Sequence, residues 1–162
     1  MAWDGHGDFG RVATAVWATD NQDKQAGLGA ALGMKESLKS ISEVLTHIDD
    51  LDFAVLIGSR TRDDAHPGSD WDIAIQWKKD SVPALEVLSR NERLRSELAQ
   101  RLGCEPDDVD IIDLMRANLT MRAVVAEEGI PLAGENDLPW MRFLSRTWHD
   151  LEHWYLEQEY AV

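Results

Sequence analysis

Gly58-Ser59-Arg60-Thr61-Arg62-Asp63-Asp64-Ala65-His66-Pro67-Gly68-Ser69-Asp70-Trp71-Asp72 is the stretch on which the reading of this chain turns. It is preceded by a short continuous apolar run, Phe53-Ala54-Val55-Leu56-Ile57, of the kind a buried strand carries. Gly58 ends that run and lets backbone approach a ligand with no Cβ in the way. Ser59 brings a hydroxyl and a backbone N–H to where the next helical turn begins, and a helix N-terminus favours a phosphate. Arg60 and Arg62 stand nearby to neutralise triphosphate charge, which arginine does bidentately. After the loop, Asp72, Ala74 and Gln76 alternate against Trp71, Ile73, Ile75 and Trp77, the period of a second strand.

Asp70 and Asp72 are two apart at the start of that strand, so both carboxylates project from one face. Two like charges held so close are costly unless a cation sits between them. Magnesium accepts hard oxygen ligands while keeping waters and substrate phosphates in its shell. Two such ions ~4 Å apart activate an attacking hydroxyl and stabilise the leaving oxygen of an in-line displacement. A third carboxylate from a neighbouring strand would complete the set, and Asp108-Val109-Asp110-Ile111-Ile112-Asp113-Leu114 offers one. Asp110 and Asp113 are three apart and face opposite ways on a strand, so only one can join. Asp110 is the expected ligand, and Asp113 a strand-end or surface residue.

Gly58-Ser59, ten residues, then Asp70-x-Asp72 resembles the signature of the DNA polymerase β-type nucleotidyltransferase superfamily. The similarity is greatest to its minimal branch, the MNT proteins often encoded beside a HEPN-domain toxin. Phe53 to Arg60 and Val109 to Leu114 resemble that family's first and third strands, and Arg122 to Leu132 its next helix and turn. The resemblance spans roughly Met34 to Leu132. It implies an α+β fold, a small mixed sheet flanked by helices. It implies that Gly58 and Ser59 grip phosphates, with Arg60, Arg62 and Ser69 in the nucleotide-binding stretch. Asp70 and Asp72 are implied to bind Mg2+, with Asp110 as the third acidic residue. It further implies an antitoxin that transfers AMP from ATP to a tyrosine of a HEPN ribonuclease partner. Asp63 departs from the pattern, since many members carry glycine there. Two other readings stay open: a small-molecule nucleotidyltransferase, such as one acting on aminoglycosides, and an antitoxin that works by binding alone.

Outward from this stretch the elements alternate. Leu38, Ile41, Leu45 and Ile48 mark an amphipathic helix from Met34 to His47. Asp80 or Ser81 is a candidate cap for a helix with Pro83 in its first turn, ending at Leu102 before Gly103. Thr120 to Glu128 reads as a helix stopped by Gly129, and Asp137 caps a last one running towards Glu159. Residues 1–33 hold six of the 11 glycines and no sustained apolar period. They are expected to be a mobile or loosely docked segment with a short helix around Val12 to Ala18, ahead of a catalytic domain over 34–162.

The bulk composition agrees with a soluble, cytosolic chain. A net charge of −14 disfavours generic nucleic-acid binding and suits a basic protein partner. No apolar run approaches the ~18 residues of a membrane span. Cys104 has no partner for a disulfide and reads as a small buried hydrophobe. His66 reads as an exposed loop residue, although its place between Ser59 and Asp70 gives it reach to a substrate. His149 and His153 share a helix face with no third ligand in sight, so they read as packing or a partner-binding face. Trp71 and Trp77 are expected to pack in the core, and Trp140, Trp148 and Trp154 to form an interface.

Overall fold

The computed structural model describes residues 9–62, 66, 68–79 and 82–160, with side chains of the first helix described from Gly27 onward. Asp63, Asp80 and Ser81 therefore lie outside the described residues. Two compact units divide the chain, Met1–Ser37 and Leu38–Val162. The first consists, in its described part, of residues 9–37 of helix α1 (Phe9–Thr46). This helix is far longer than the short helix expected around Val12 to Ala18, and it does not begin at Met34. Gly27, Gly29 and Gly33 look like breakers, yet each costs a helix only about 1 kcal/mol relative to alanine, and the segment around them is rich in alanine. A Cβ placed on any of the three would meet nothing within 4 Å.

The second unit is built on a four-stranded mixed sheet of order β3-β2-β1-β4. Strand β1 (Leu51–Ile57) pairs antiparallel with β2 (Trp71–Trp77) and, on its other side, with β4 (Ile130–Ala133). Strand β3 (Val109–Asp113) lies parallel to β2. The crossover that parallel pairing requires is helix α2 (Ala84–Leu102), which ends on Gly103 in the left-handed conformation (φ 70°). Pro83 stands as the N-cap residue, just ahead of the first turn. Helix α3 (Leu119–Glu128) is capped by Asn118, whose side chain accepts the Met121 N–H at 2.9 Å. Helix α4 (Leu138–Tyr160) closes the fold, with Pro139 in its first turn.

Alternation along β1 and β2 divides the core between two faces. Phe53, Val55, Ile57 and Ala74 point one way and pack with Leu114, Val125 of α3 and Trp140 and Phe143 of α4. Phe53, Trp140 and Phe143 form an aromatic cluster with ring centroids 5.1 to 5.5 Å apart. Trp140 is thus a core residue and not part of a surface stripe, because it falls on the half of α4 that meets the sheet. Ala54, Leu56, Ile73 and Ile75 are fully buried on the opposite face. Trp71 and Trp77 are buried at the two ends of β2, as their place in the alternation predicts. No helix among the described residues is long and apolar enough to cross a membrane.

Candidate active site

One rung of the sheet brings two of the expected acids together. Ile57, Asp72 and Asp110 are paired across β1, β2 and β3. In-register neighbours on one face bring their side chains within reach of each other, so Asp72 and Asp110 stand side by side. Asp70 lies two residues before Asp72, exposed at the lip of the strand. The crowding registers in Asp72, whose proton affinity is raised first by desolvation, then by Asp110 and then by Asp70. Arg60 opposes that shift.

Gly58 is what makes room for this carboxylate. It takes φ +79° directly after β1, and a Cβ built on it would lie 2.2 Å from Asp72 Oδ2 and 3.1 Å from Asp72 Cγ. Any other residue here would be strained in its backbone and would displace the acid. Gly58–Thr61 forms a single 3₁₀ turn, closed by the Thr61 hydroxyl on the Gly58 carbonyl (2.7 Å) and by the Arg62 N–H on the Ser59 carbonyl (3.1 Å). One such turn has little macrodipole, so what Ser59 offers an anion is its hydroxyl and local N–H groups.

The two arginines part company. Arg62 is exposed at the end of the turn. Arg60 reaches back across the loop, its Nε donating to the carbonyls of Ser69 (2.9 Å) and Asp70 (3.1 Å), its Nη2 also bonding Ser69. Its guanidinium lies 4.0 Å over the Trp71 ring. Arg60 therefore ties the turn after β1 to the start of β2, a role its position in the sequence does not announce. Ser69 is buried, and its hydroxyl accepts the His66 N–H (3.2 Å) and bonds the His66 ring Nδ1 (2.9 Å). His66 is exposed, yet it organises the same loop.

Asp113 stays apart from the acids. It accepts the Met115 N–H at 3.0 Å and lies 3.9 Å from Arg116, a strand-end arrangement. Cys104 is half-buried, and burial together with Asp108 raises its thiol pKa, leaving it a poor nucleophile.

Residues 39–138 match the family described as polymerase beta, nucleotidyltransferase. The chain belongs to that family. Among solved structures this nucleotidyltransferase is similar to a chain of a toxin-antitoxin crystallised with AMP-PNP, at 26% identity and a TM-score of 0.57 over 76% of this chain and 92% of that one. A second likeness is to a complex of a tri-AMPylated Shewanella oneidensis HEPN toxin with an MNT antitoxin (24% identity, TM-score 0.56, 78% and 92% covered). A third is to the toxin-antitoxin MntA-HepT (22% identity, TM-score 0.51, 80% and 92% covered). The last two likenesses are of fold. No curated protein matches the chain.

Among the described residues, no group of three or more His, Cys, Asp or Glu side chains is drawn up around a single point as a metal site. The donor set still suits magnesium. Asp72 and Asp110 are hard oxygen donors in adjacent register, and Asp72 carries a charge its surroundings penalise. Magnesium completes its shell with substrate phosphates and water, and does not require a closed protein cage.

Proposed function

We propose that this nucleotidyltransferase is an MNT-type antitoxin that transfers AMP from ATP to a hydroxyl, expected to be a tyrosine's, of a cognate HEPN-domain toxin in the cytoplasm. The observation that carries the reading is the seat made for Asp72, abutting a residue that must be glycine and paired with Asp110. A charge so placed weakens the fold unless it is used. The likeness to a toxin-antitoxin bound to AMP-PNP and to an MNT antitoxin beside an AMPylated toxin supports nucleotide and acceptor alike.

In this reading residues 34–162 are the catalytic domain and 1–33 an accessory segment. Asp70, Asp72 and Asp110 hold Mg2+, which when bound offsets their mutual repulsion and the charge of the triphosphate. Gly58 and Ser59 receive the phosphates, and Arg62 at the end of their turn is free of the loop-bracing that occupies Arg60. Ser69 and Arg60 keep the start of β2 in place beneath them. The acceptor oxygen forms a bond to the α-phosphorus in line with the bond to the bridging oxygen, which breaks and leaves with pyrophosphate. The acceptor proton passes to Asp110, the exposed carboxylate of the adjacent pair.

The test is transfer of label from ATP onto the HEPN-domain protein encoded beside this chain's gene. Label from the α-position and not the γ-position, lost by at least ~10³-fold in Asp70→Asn/Asp72→Asn, is the expected result. A folded double variant that labels the partner at the normal rate would refute the site. Protection from the toxin by that variant without any labelling would instead favour neutralisation by binding.

A further inference from the structure

Helix α4 is packed through only half its length. Its buried residues, Trp140, Phe143 and Thr147, all lie in the first half. The helix nonetheless continues to Tyr160, and its second half turns large apolar side chains outward, Trp154 46% and Tyr155 62% exposed among them. Against α3 they leave a cavity of about 400 Å³ lined by Ala123, Val124, Leu151, Trp154 and Tyr155. A second cavity of about 360 Å³ adjoins it, sharing Glu127, Leu151 and Tyr155 and adding Trp148 and Leu156. Together they make one apolar groove along the α3–α4 seam.

The rim of that groove is acidic. Glu127, Glu152 and Glu159 line it. After Arg146 the sequence contains no lysine or arginine, and besides Asp150, which Arg122 pairs at 2.9 Å, it carries Glu152, Glu157 and Glu159. A second copy of the chain would bring the same carboxylates against themselves, on a molecule already at −14. Exposed aromatics cost solubility unless they are covered, and aromatic anchors ringed by charge are what specific interfaces use.

We propose that this groove docks a helix of the acceptor protein, one with an apolar ridge flanked by lysine or arginine. Trp154 and Tyr155 supply the anchoring area, and the glutamates supply register and speed of association. The identity of the occupant with the acceptor rests on the function proposed above; the chemistry of the groove does not.

Calorimetric titration of the full chain with the purified HEPN-domain protein encoded beside its gene, with stopped-flow fluorescence for the association rate, tests this. Trp154→Ala/Tyr155→Ala should weaken binding about 100-fold, and Glu152→Lys/Glu159→Lys should slow association about tenfold and flatten its salt dependence. All four positions are exposed, and unchanged thermal unfolding will show that the variants fold. Wild-type affinity in both variants, or no binding by the wild type, overturns the proposal. So does a wild-type homodimer in sedimentation that Trp154→Ala/Tyr155→Ala dissociates, because a second copy then fills the groove. Binding lost in both variants, alongside a wild type that never transfers label, would remove the adenylylation reading and leave the docking surface standing.

Discussion

The two ends of strand β2 follow opposite rules. At its far end polar groups meet partners: Gln76 Nε2 donates to Asp52 at 3.1 Å, Trp77 Nε1 to Asn91 at 2.8 Å, and the Lys78 N–H to the Asp50 carbonyl at 2.8 Å. At its near end Asp72 is pressed against a glycine, partly desolvated and set beside two like charges. One end is arranged for stability and the other carries a standing electrostatic cost. Within seven residues the strand passes from crowded carboxylates to polar groups with partners.

The sharpest way to break the comparison is Gly58→Ala. The methyl would occupy the space of Asp72 Oδ2, so if Asp72 has the proposed role label transfer should fall by about 10²-fold or more, as when a reacting group is misplaced by an ångström. The positive φ should cost a further ~1 kcal/mol of stability. Normal transfer by the folded variant would mean that Asp72 need not sit where it does. Arg60→Lys is the next test. If charge towards the triphosphate were its whole contribution, lysine would serve. Because Arg60 spans two carbonyls and stacks on Trp71, kcat should fall about tenfold with little change in KM for ATP.

The smallest effects are on stability, and they should have opposite signs at the two ends. Asp72 has a folded-state pKa above its usual 3.8, so the folded protein binds more protons than the unfolded one, and stability is lost as pH rises through that window. Asp72→Asn should therefore raise the Tm at neutral pH, with the gain fading as the pH drops and Asp72 itself becomes protonated. Asn91→Ala should lower the stability at every pH by about 1–2 kcal/mol for the stranded Trp77 N–H, read as a lower Tm, and leave transfer rates untouched. A destabilising Asp72→Asn would overturn the account of the near end.

Three of the four strands could be read directly because their patterns are local. Phe53 to Ile57 is a buried run, and Trp71 to Trp77 an alternation. The third, around Asp110, is short but bounded by turn residues. Strand β4 escaped because four residues with Pro131 among them carry no period; it is an edge strand, the place where a proline is tolerated. The length of α1 carries no such signal: Gly27, Gly29 and Gly33 suggest breaks where the neighbouring alanines sustain the helix. In the loop, residue type suggests a phosphate ligand at Arg60, and the structure adds a bracing role, its Nε and Nη2 bonding the backbone of Ser69 and Asp70. That pairing spans nine and ten residues through a loop with no period. Nor could sequence divide the tryptophans of α4, since the register of that helix against the sheet decides that Trp140 is buried while Trp148 and Trp154 are not.

The parallel pairing of β2 with β3 also bears on how assembly errors are screened. Strand β3 joins only after some thirty residues of crossover, so it is free to dock one residue out of place. A slip by one would turn Asp110 to the other face and send Val109, now fully buried opposite Trp71, out to solvent. The mistake would therefore expose an apolar side chain at the same moment as it disabled the acids. Misassembled molecules would then be recognisable to quality control by their greasy surface, with no need for any check on their activity.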